Sequence, residues 1–145
     1  MKEAIHYIRK AIIARLSNAI TAGGVTVPVY NRVPYNTSEP FIKVYSVTSS
    51  EDSRNQSSYI TECTTNIEVI TAFDGDAGGE LQVNEIVNDV LELIRTRSDG
   101  YYDLSGDGFK VITCVLNSTT YTEEDAEDRT YFRAILEVSN KVLQT

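Results

Sequence analysis

Residues 59–73 read YITECTTNIEVITAF, and this run decides the fold. It is dense in β-branched and aromatic side chains, which suit a pleated, half-buried surface. Its odd positions carry Cys63, Ile67, Val69 and Phe73, while Glu62, Asn66 and Glu68 fall on the even ones. Because side chains alternate sides along a strand, one face of this run is apolar and the other polar. A strand of that kind belongs in a sheet packed on one side only, the usual state of antiparallel sheets.

Two amphipathic stretches offer the packing partner. Over residues 2–19, Ile5, Ile8, Ile12 and Leu16 recur at helical spacing, with Ala4, Ala11, Ala19 and Ile20 beside them. Gly23 and Gly24 are read as the stop of this helix. A second helix over residues 77–97 gathers Leu81, Ile86, Val87, Val90, Leu93 and Ile94. Acids near its start and Arg95 and Arg97 near its end suit the helix dipole.

The remaining chain supplies further strands. Pro28, Pro34 and Pro40 cut residues 25–40 into an edge strand at 25–30 and a loop at 34–40, since proline lacks the ladder's amide donor. Residues 41–47 form a strand. Residues 48–58 (TSSEDSRNQSS) hold no apolar side chain and are expected as a mobile loop or arm. Residues 98–108 are a Gly/Asp-rich loop. Residues 109–116 are apolar on both faces, as in a central strand. Residues 122–128 form an acidic loop, and 129–142 close the chain as a strand with Phe132, Ala134, Leu136, Val138 and Val142 on one face. The expected fold is α+β: a mostly antiparallel sheet of four or five strands with two helices on one face. At 145 residues it makes one domain, with the polar arm at 48–58 as an appendage.

Composition narrows the function classes. Hydrophobic residues are 41% and charged ones 23%, an ordinary globular balance. No apolar run approaches the ~20 residues that span a bilayer, and residues 1–4 do not open a signal peptide, so cytoplasmic synthesis and no membrane are expected. The net charge of −8 disfavours stable binding to phosphate backbones. Cys63 and Cys114 are expected as free, half-buried thiols.

Catalytic patterns are sparse. His6 is the one histidine, so a triad or a zinc site would have to be built on it, and its helix position reads as solvated. No G-x-G-x-x-G or Walker-type loop occurs. Residues 74–85 overlay a twelve-residue calcium loop, with Asp74, Asp76, Gly79 and Glu85 in place but Gly78 where an oxygen ligand belongs. The preferred reading is a strand-to-helix turn capped by Asp76. Glu123, Glu124, Asp125, Glu127 and Asp128 lack the apolar neighbours that split catalytic pKa values, so they read as a solvated surface. No enzyme and no cofactor are expected. Nine tyrosines, eight of them at strand ends or in loops, favour a protein made for contact with other proteins.

Short motifs then carry a resemblance. Val27-Pro28-Val29-Tyr30-Asn31-Arg32-Val33-Pro34 resembles a "V-Y-x-x-V-P" signature, and Pro40-Phe41-Ile42-Lys43-Val44-Tyr45 a "P-[FY]-[IV]-x-[IV]" strand. Residues 67–73 are similar to a "v-x-v-x-v-[WY]" segment, with Phe73 two positions beyond the usual aromatic. The second helix and residues 129–137 match the order of the last two elements. Together they resemble the tail-completion, or tail-terminator, proteins of long-tailed bacteriophages. The resemblance implies a structural virion protein at the head-proximal end of the tail, assembled in the host cytoplasm. It implies a homo-oligomer, a hexameric ring, that caps the tail tube protein and joins the head-tail connector while DNA passes through the lumen unbound. On that reading Glu51, Asp52, Ser53, Arg54, Asn55 and Gln56 of the arm serve ring or tube contacts. Glu123, Glu124, Asp125, Glu127 and Asp128 face the lumen or a subunit interface. A connector or stopper protein and a small cytoplasmic binding module are the alternatives. With residues 74–85 read as a turn, added calcium should leave the melting temperature unchanged; a rise on titration would favour the binding module.

Overall fold

The computed structural model describes residues 1–52, 57–75, 77–95 and 102–145. Ile5–Leu16 form helix α1, and Leu81–Ile94 form helix α2. Strands β1 (Thr21–Ala22) and β2 (Val25–Thr26) pair as a small hairpin. The main sheet comprises β3 (Val29–Tyr30), β4 (Phe41–Glu51), β5 (Ile60–Asp74), β6 (Phe109–Asp125) and β7 (Arg129–Gln144), ordered β3-β4-β5-β7-β6. Only the β3–β4 pairing is parallel. The fold is therefore α+β, with a mostly antiparallel five-stranded sheet and both helices on one face.

The core sits between the helices and that face. Ile8, Ile12 and Leu16 of α1 and Val83, Ile86, Val87, Val90 and Ile94 of α2 are buried. They pack over Ile42, Val44, Cys63, Ile67, Val69, Ala134, Leu136 and Val138. Register explains why these strand residues share a face: Cys63 lies opposite Asn140, Ile67 opposite Leu136, and Val69 opposite Ala134. The opposite face of the sheet carries Lys43, Glu68, Arg133, Glu137 and Lys141, and among the described residues no helix covers it.

Several boundaries differ from the sequence reading, each for an identifiable reason. Helix α1 ends at Leu16, not Ala19. Ser17 turns extended, its hydroxyl bonds back to the Ile13 carbonyl at 2.6 Å, and Asn18 takes φ 60°. Gly23 and Gly24 do not stop the helix; they form the two-residue turn between β1 and β2, where both φ values are positive. Pro28 splits the expected edge strand at 25–30 into β2 and β3.

Residues 48–51 are strand rather than arm, because the backbone ladder from Thr48↔Thr64 to Glu51↔Thr61 needs no apolar side chain. Val47 is the extra residue of a β-bulge at this point. Residues 53–56, which include the candidate contacts Ser53, Arg54, Asn55 and Gln56, lie outside the described residues.

The largest correction concerns β6. It is an edge strand, not a central one, and runs to Asp125 rather than ending at Leu116. Bulges at Ile112 and Asn117 shift its side-chain alternation, which puts apolar residues on both faces and imitates a central strand. The acidic residues 123–125 consequently belong to the β6–β7 hairpin, which turns at 126–128 with the Ala126 amide on the Arg129 carbonyl. Helix α2 begins after Glu80, with no side-chain cap, so the expected cap by Asp76 is not the helix N-cap; Asp76 and Arg97 themselves lie outside the described residues. Arg95 does not serve the helix's own carbonyls: its guanidinium donates to the Cys114 carbonyl.

The turn into α2 depends on Gly78. Its φ is +82°, and a Cβ built there would fall inside the ring of Phe73, which itself packs edge-on to Phe132 with centroids 6.1 Å apart. Gly24 has a similar φ of +80° but open space around it. Gly78→Ala should therefore cost about 2–3 kcal/mol and lower the melting temperature by roughly 6–12 °C, whereas Gly24→Ala should cost about 1 kcal/mol. Thermal unfolding of the two variants side by side separates the ring collision from the backbone conformation they share.

Candidate functional site

The strands outrun the helices. At about 3.3 Å per residue a strand of 15–17 residues spans roughly 50 Å. Helices of 12 and 14 residues span only about 20 Å. The β6–β7 hairpin thus runs beyond the helical cover, whereas the level of Glu51 stays covered on the core face, where Thr61, Phe109 and Val142 are buried and Tyr7 of α1 packs on Phe109. The two groups of candidate contact residues occupy these opposite ends. Glu51 lies opposite Thr61, which lies opposite Val142. Asp125 lies opposite Thr130, which in turn faces Phe73. Twelve residues of β7, from 130 to 142, separate the two levels, or about 40 Å. The structure does not bring the arm and the acidic residues together; it makes them two surfaces.

At the acidic end Glu123, Glu124, Asp125, Glu127 and Asp128 are all exposed. Asp125 accepts from the Thr130 hydroxyl at 3.1 Å, and Glu124 lies 3.5 Å from Arg133. The Asp128 carbonyl takes the Gly75 amide, tying the hairpin turn to the end of β5. At the other end Asp52 reaches Lys141 at 3.2 Å, and its backbone amide bonds the Ile60 carbonyl.

Ion pairs form a charged rail on the uncovered face, clustered toward the hairpin end and met again at Lys141. Arg129 lies between Asp74 at 3.4 Å and Glu39 at 3.2 Å, and Arg133 between Glu68 at 3.7 Å and Glu124 at 3.5 Å. Each pair links neighbouring strands or a strand and its flanking loop, so the rail reinforces register. The side chains of Arg129, Arg133 and Lys141 are about 40% exposed, so each pair stabilises little, on the order of 0.2–1 kcal/mol. Sequence reading missed this rail. Its signal was the four-residue spacing of Arg129 and Arg133 on one strand face, matched by the acids Asp74 and Glu68 of β5.

The groups that could do covalent chemistry are placed for structure. Cys63 and Cys114 are free and fully buried, not half-buried as expected. Burial pushes the Cys63 thiol up, against a weak hydrogen bond with Ser49, and so disfavours the reactive thiolate. Tyr102, expected in a loop or at a strand end, lies in a loop and is buried; its hydroxyl donates to Asn140 Oδ1 at 2.6 Å, and Asn140 Nδ2 donates to the Thr113 carbonyl at 3.2 Å. Desolvation raises the Tyr102 phenol well above the ordinary tyrosine value. Tyr35 and Tyr121 are exposed as expected, and Tyr101 lies outside the described residues. His6 is about half exposed and bonds Glu3 at 3.0 Å.

In the calcium-like segment, Asp74 ends β5 against Arg129 and Glu85 lies within α2. Among the described residues no group of three or more His, Cys, Asp or Glu is placed to hold a metal ion. No described helix is long and apolar enough to cross a membrane. Compared with protein-family models and with curated protein sequences, the chain matches none.

The Tyr102–Asn140 bond is the most consequential polar contact in the core. Asn140→Ala leaves the phenol without its acceptor and should cost about 1–3 kcal/mol. Because the folded Tyr102 holds its proton more tightly than an exposed tyrosine, its contribution is full below pH ~10 and is lost as pH rises further. Tyr102→Phe should accordingly flatten the alkaline limb of the stability–pH curve; an unchanged limb would show that Tyr102 does not set it.

Proposed function

We propose that this chain is a non-enzymatic structural subunit of a long-tailed phage virion, the tail terminator that caps the tail tube and joins it to the head connector. The observation that carries the reading is the two-ended subunit: Glu51 and the β6–β7 hairpin lie about 40 Å apart at opposite ends of one sheet. In sequence the two ends differ, residues 51–56 (EDSRNQ) mixing both charges with polar groups where 123–128 (EEDAED) carry acids alone. A terminator must meet unlike neighbours above and below, and a subunit with unlike ends supplies both faces without a conformational switch. The order of elements and the motifs at 27–34 and 40–45 support the same assignment.

The mechanism is physical. A ring of such subunits docks on the last tube ring through one end. Its other end does not reproduce the tube surface, so no further tube subunit adds and growth stops. That second end then receives the head connector. The arm end, with Glu51 and Asp52, is assigned to ring or tube contacts. The hairpin bearing Glu123, Glu124, Asp125, Glu127 and Asp128 is assigned to the lumen or a subunit interface. Exposed carboxylates lining a lumen repel the DNA backbone and release no counterions to it, so DNA passes without sticking. The net charge of −8 acts in the same direction.

Deleting the gene from the phage genome and imaging the lysate by electron microscopy tests the proposal. Overlong or ragged tails beside separate, filled heads are expected. Tails of normal length would exclude termination and move the assignment to a connector, or out of the virion.

A further inference from the structure

We infer that the groove between the end of β5 and the start of α2 docks a segment of a partner protein in which an apolar side chain is flanked by Lys or Arg. This goes beyond the terminator reading and does not rest on it.

The turn from sheet to helix builds the groove. Gly23, Phe73, Gly78, Leu81, Gln82 and Glu85 line it, and its volume is about 450 Å³. That lies within the range of roughly 300–1,000 Å³ in which pockets take a ligand group. The Phe73 ring lies against the Gly78 backbone, where a Cβ would collide with it, so the glycine lets ring and turn meet. Leu81, the first residue of α2, is 70% exposed, and Val25, in the hairpin that turns at Gly23, is 63% exposed. Residues 20–26 of that hairpin (ITAGGVT) carry no charge. An apolar helix start facing an uncharged hairpin across an aromatic ring is a contact surface, not a scatter of single exposed residues.

Charge says what fits the groove. Glu85 lines it, Glu80 lies beside it, and both are exposed. Residues 77–94 hold four acids, Glu80, Glu85, Asp89 and Glu92, and no Lys, Arg or His. The sheet adds two more carboxylates. Phe73 lies opposite Thr130, and Thr130 opposite Asp125, so Asp125 shares the helix-side face two strands, or about 10 Å, away. Glu123, opposite Phe132, shares that face too. Arg129 and Arg133 at this end of the sheet lie on the other face, where Asp74, Glu39, Glu68 and Glu124 engage them. An apolar groove with an acidic rim complements an apolar anchor set between basic side chains. The buried anchor supplies affinity and the rim charges select the partner. A second copy of this chain, at net charge −8, brings the wrong sign, as do nucleic acid and anionic lipid.

The helix start favours a polypeptide over a simple cation. No side chain caps α2, so its first amides have no side-chain acceptor. Backbone carbonyls of an extended segment in the groove satisfy such donors while its Lys or Arg side chains meet the carboxylates.

Fluorescence anisotropy on the full chain with labelled Lys-Leu-Lys-Leu-Lys, blocked at both ends, tests the inference. Saturable binding is expected, tighter than that of Lys-Ala-Lys-Ala-Lys by about fivefold or more. Leu81→Ser and Glu85→Lys, both at exposed sites, should melt close to the parent and weaken binding by about fivefold and tenfold. Glu92→Lys makes the same change of charge about 10 Å further along α2 and should weaken it less than about twofold. Absence of saturable binding overturns the inference. Equal binding of the alanine peptide also overturns it, because charge alone would then be the attraction. A loss with Glu92→Lys as large as that with Glu85→Lys, or no loss with Leu81→Ser, overturns it by removing the binding from this groove. The gene-deletion phenotype bears only on the terminator reading, so either can fail while the other stands.

Discussion

The antiparallel ladder between β5 and β7 holds the molecule together. All fifteen residues of β5 pair with β7 without a bulge, from Ile60↔Leu143 to Asp74↔Arg129. The partners are far apart in sequence, from 55 residues (74 to 129) to 83 residues (60 to 143). A long loop must therefore be closed before the sheet's centre exists. Everything else is arranged on this pair. Strand β4 adds to one side, the β6–β7 hairpin to the other, and both helices cover the face that carries Ile67, Val69, Leu136 and Val138. A one-residue slip would turn those side chains to solvent and bury Glu68 and Glu137 instead, so register here is strongly specified.

Stability and register come from different interactions. A fully buried Ile or Leu contributes about 1.5–3 kcal/mol, and five fully buried side chains of that size, Ile8, Ile12, Leu16, Ile86 and Ile94, come from the helices alone. The ion pairs of Arg129, Arg133 and Lys141 contribute on the order of 0.2–1 kcal/mol each. One or two core residues outweigh the whole rail. The rail instead makes wrong pairings costly, because a shifted strand would set Arg133 away from Glu68 and Glu124. The uncovered face is consequently polar, with its charges paired across strands.

The sheet's centre and both helices were legible because their signals are periodic. The stretch 59–73 sets Cys63, Ile67, Val69 and Phe73 on alternate positions, and Ile5, Ile8, Ile12 and Leu16 keep helical spacing. What escaped was structure carried by the backbone. Residues 48–51 pair as strand with only Ser, Thr and Glu side chains, and a reading that looks for buried apolar residues sees a loop there. The distal half of β6 escaped for the same reason. The bulges at Ile112 and Asn117 broke the alternation of its proximal half and made an edge strand look central. The candidate contact residues were found as two polar clusters, but their placement at opposite ends followed only from pairing registers, which no local pattern encodes. Tyr102 lies in a loop as expected, but its burial was not legible, because its hydroxyl meets Asn140, a partner 38 residues away.

The geometry separates lateral from axial contacts. The strand edges face sideways and offer backbone groups, while the hairpin ends point along the strands and offer charged side chains. These are different chemistries with different tolerances. Backbone pairing fixes direction and spacing but discriminates weakly among partners. Charged ends discriminate strongly among partners while contributing little affinity on their own. On the proposed reading this division has a consequence for assembly order. A single subunit presents one set of carboxylates, too few to recognise a tube ring against competing surfaces. On that reading, a ring that holds several copies at fixed spacing makes the same tips act together, and their weak interactions multiply through effective concentration. Ring formation would then precede docking.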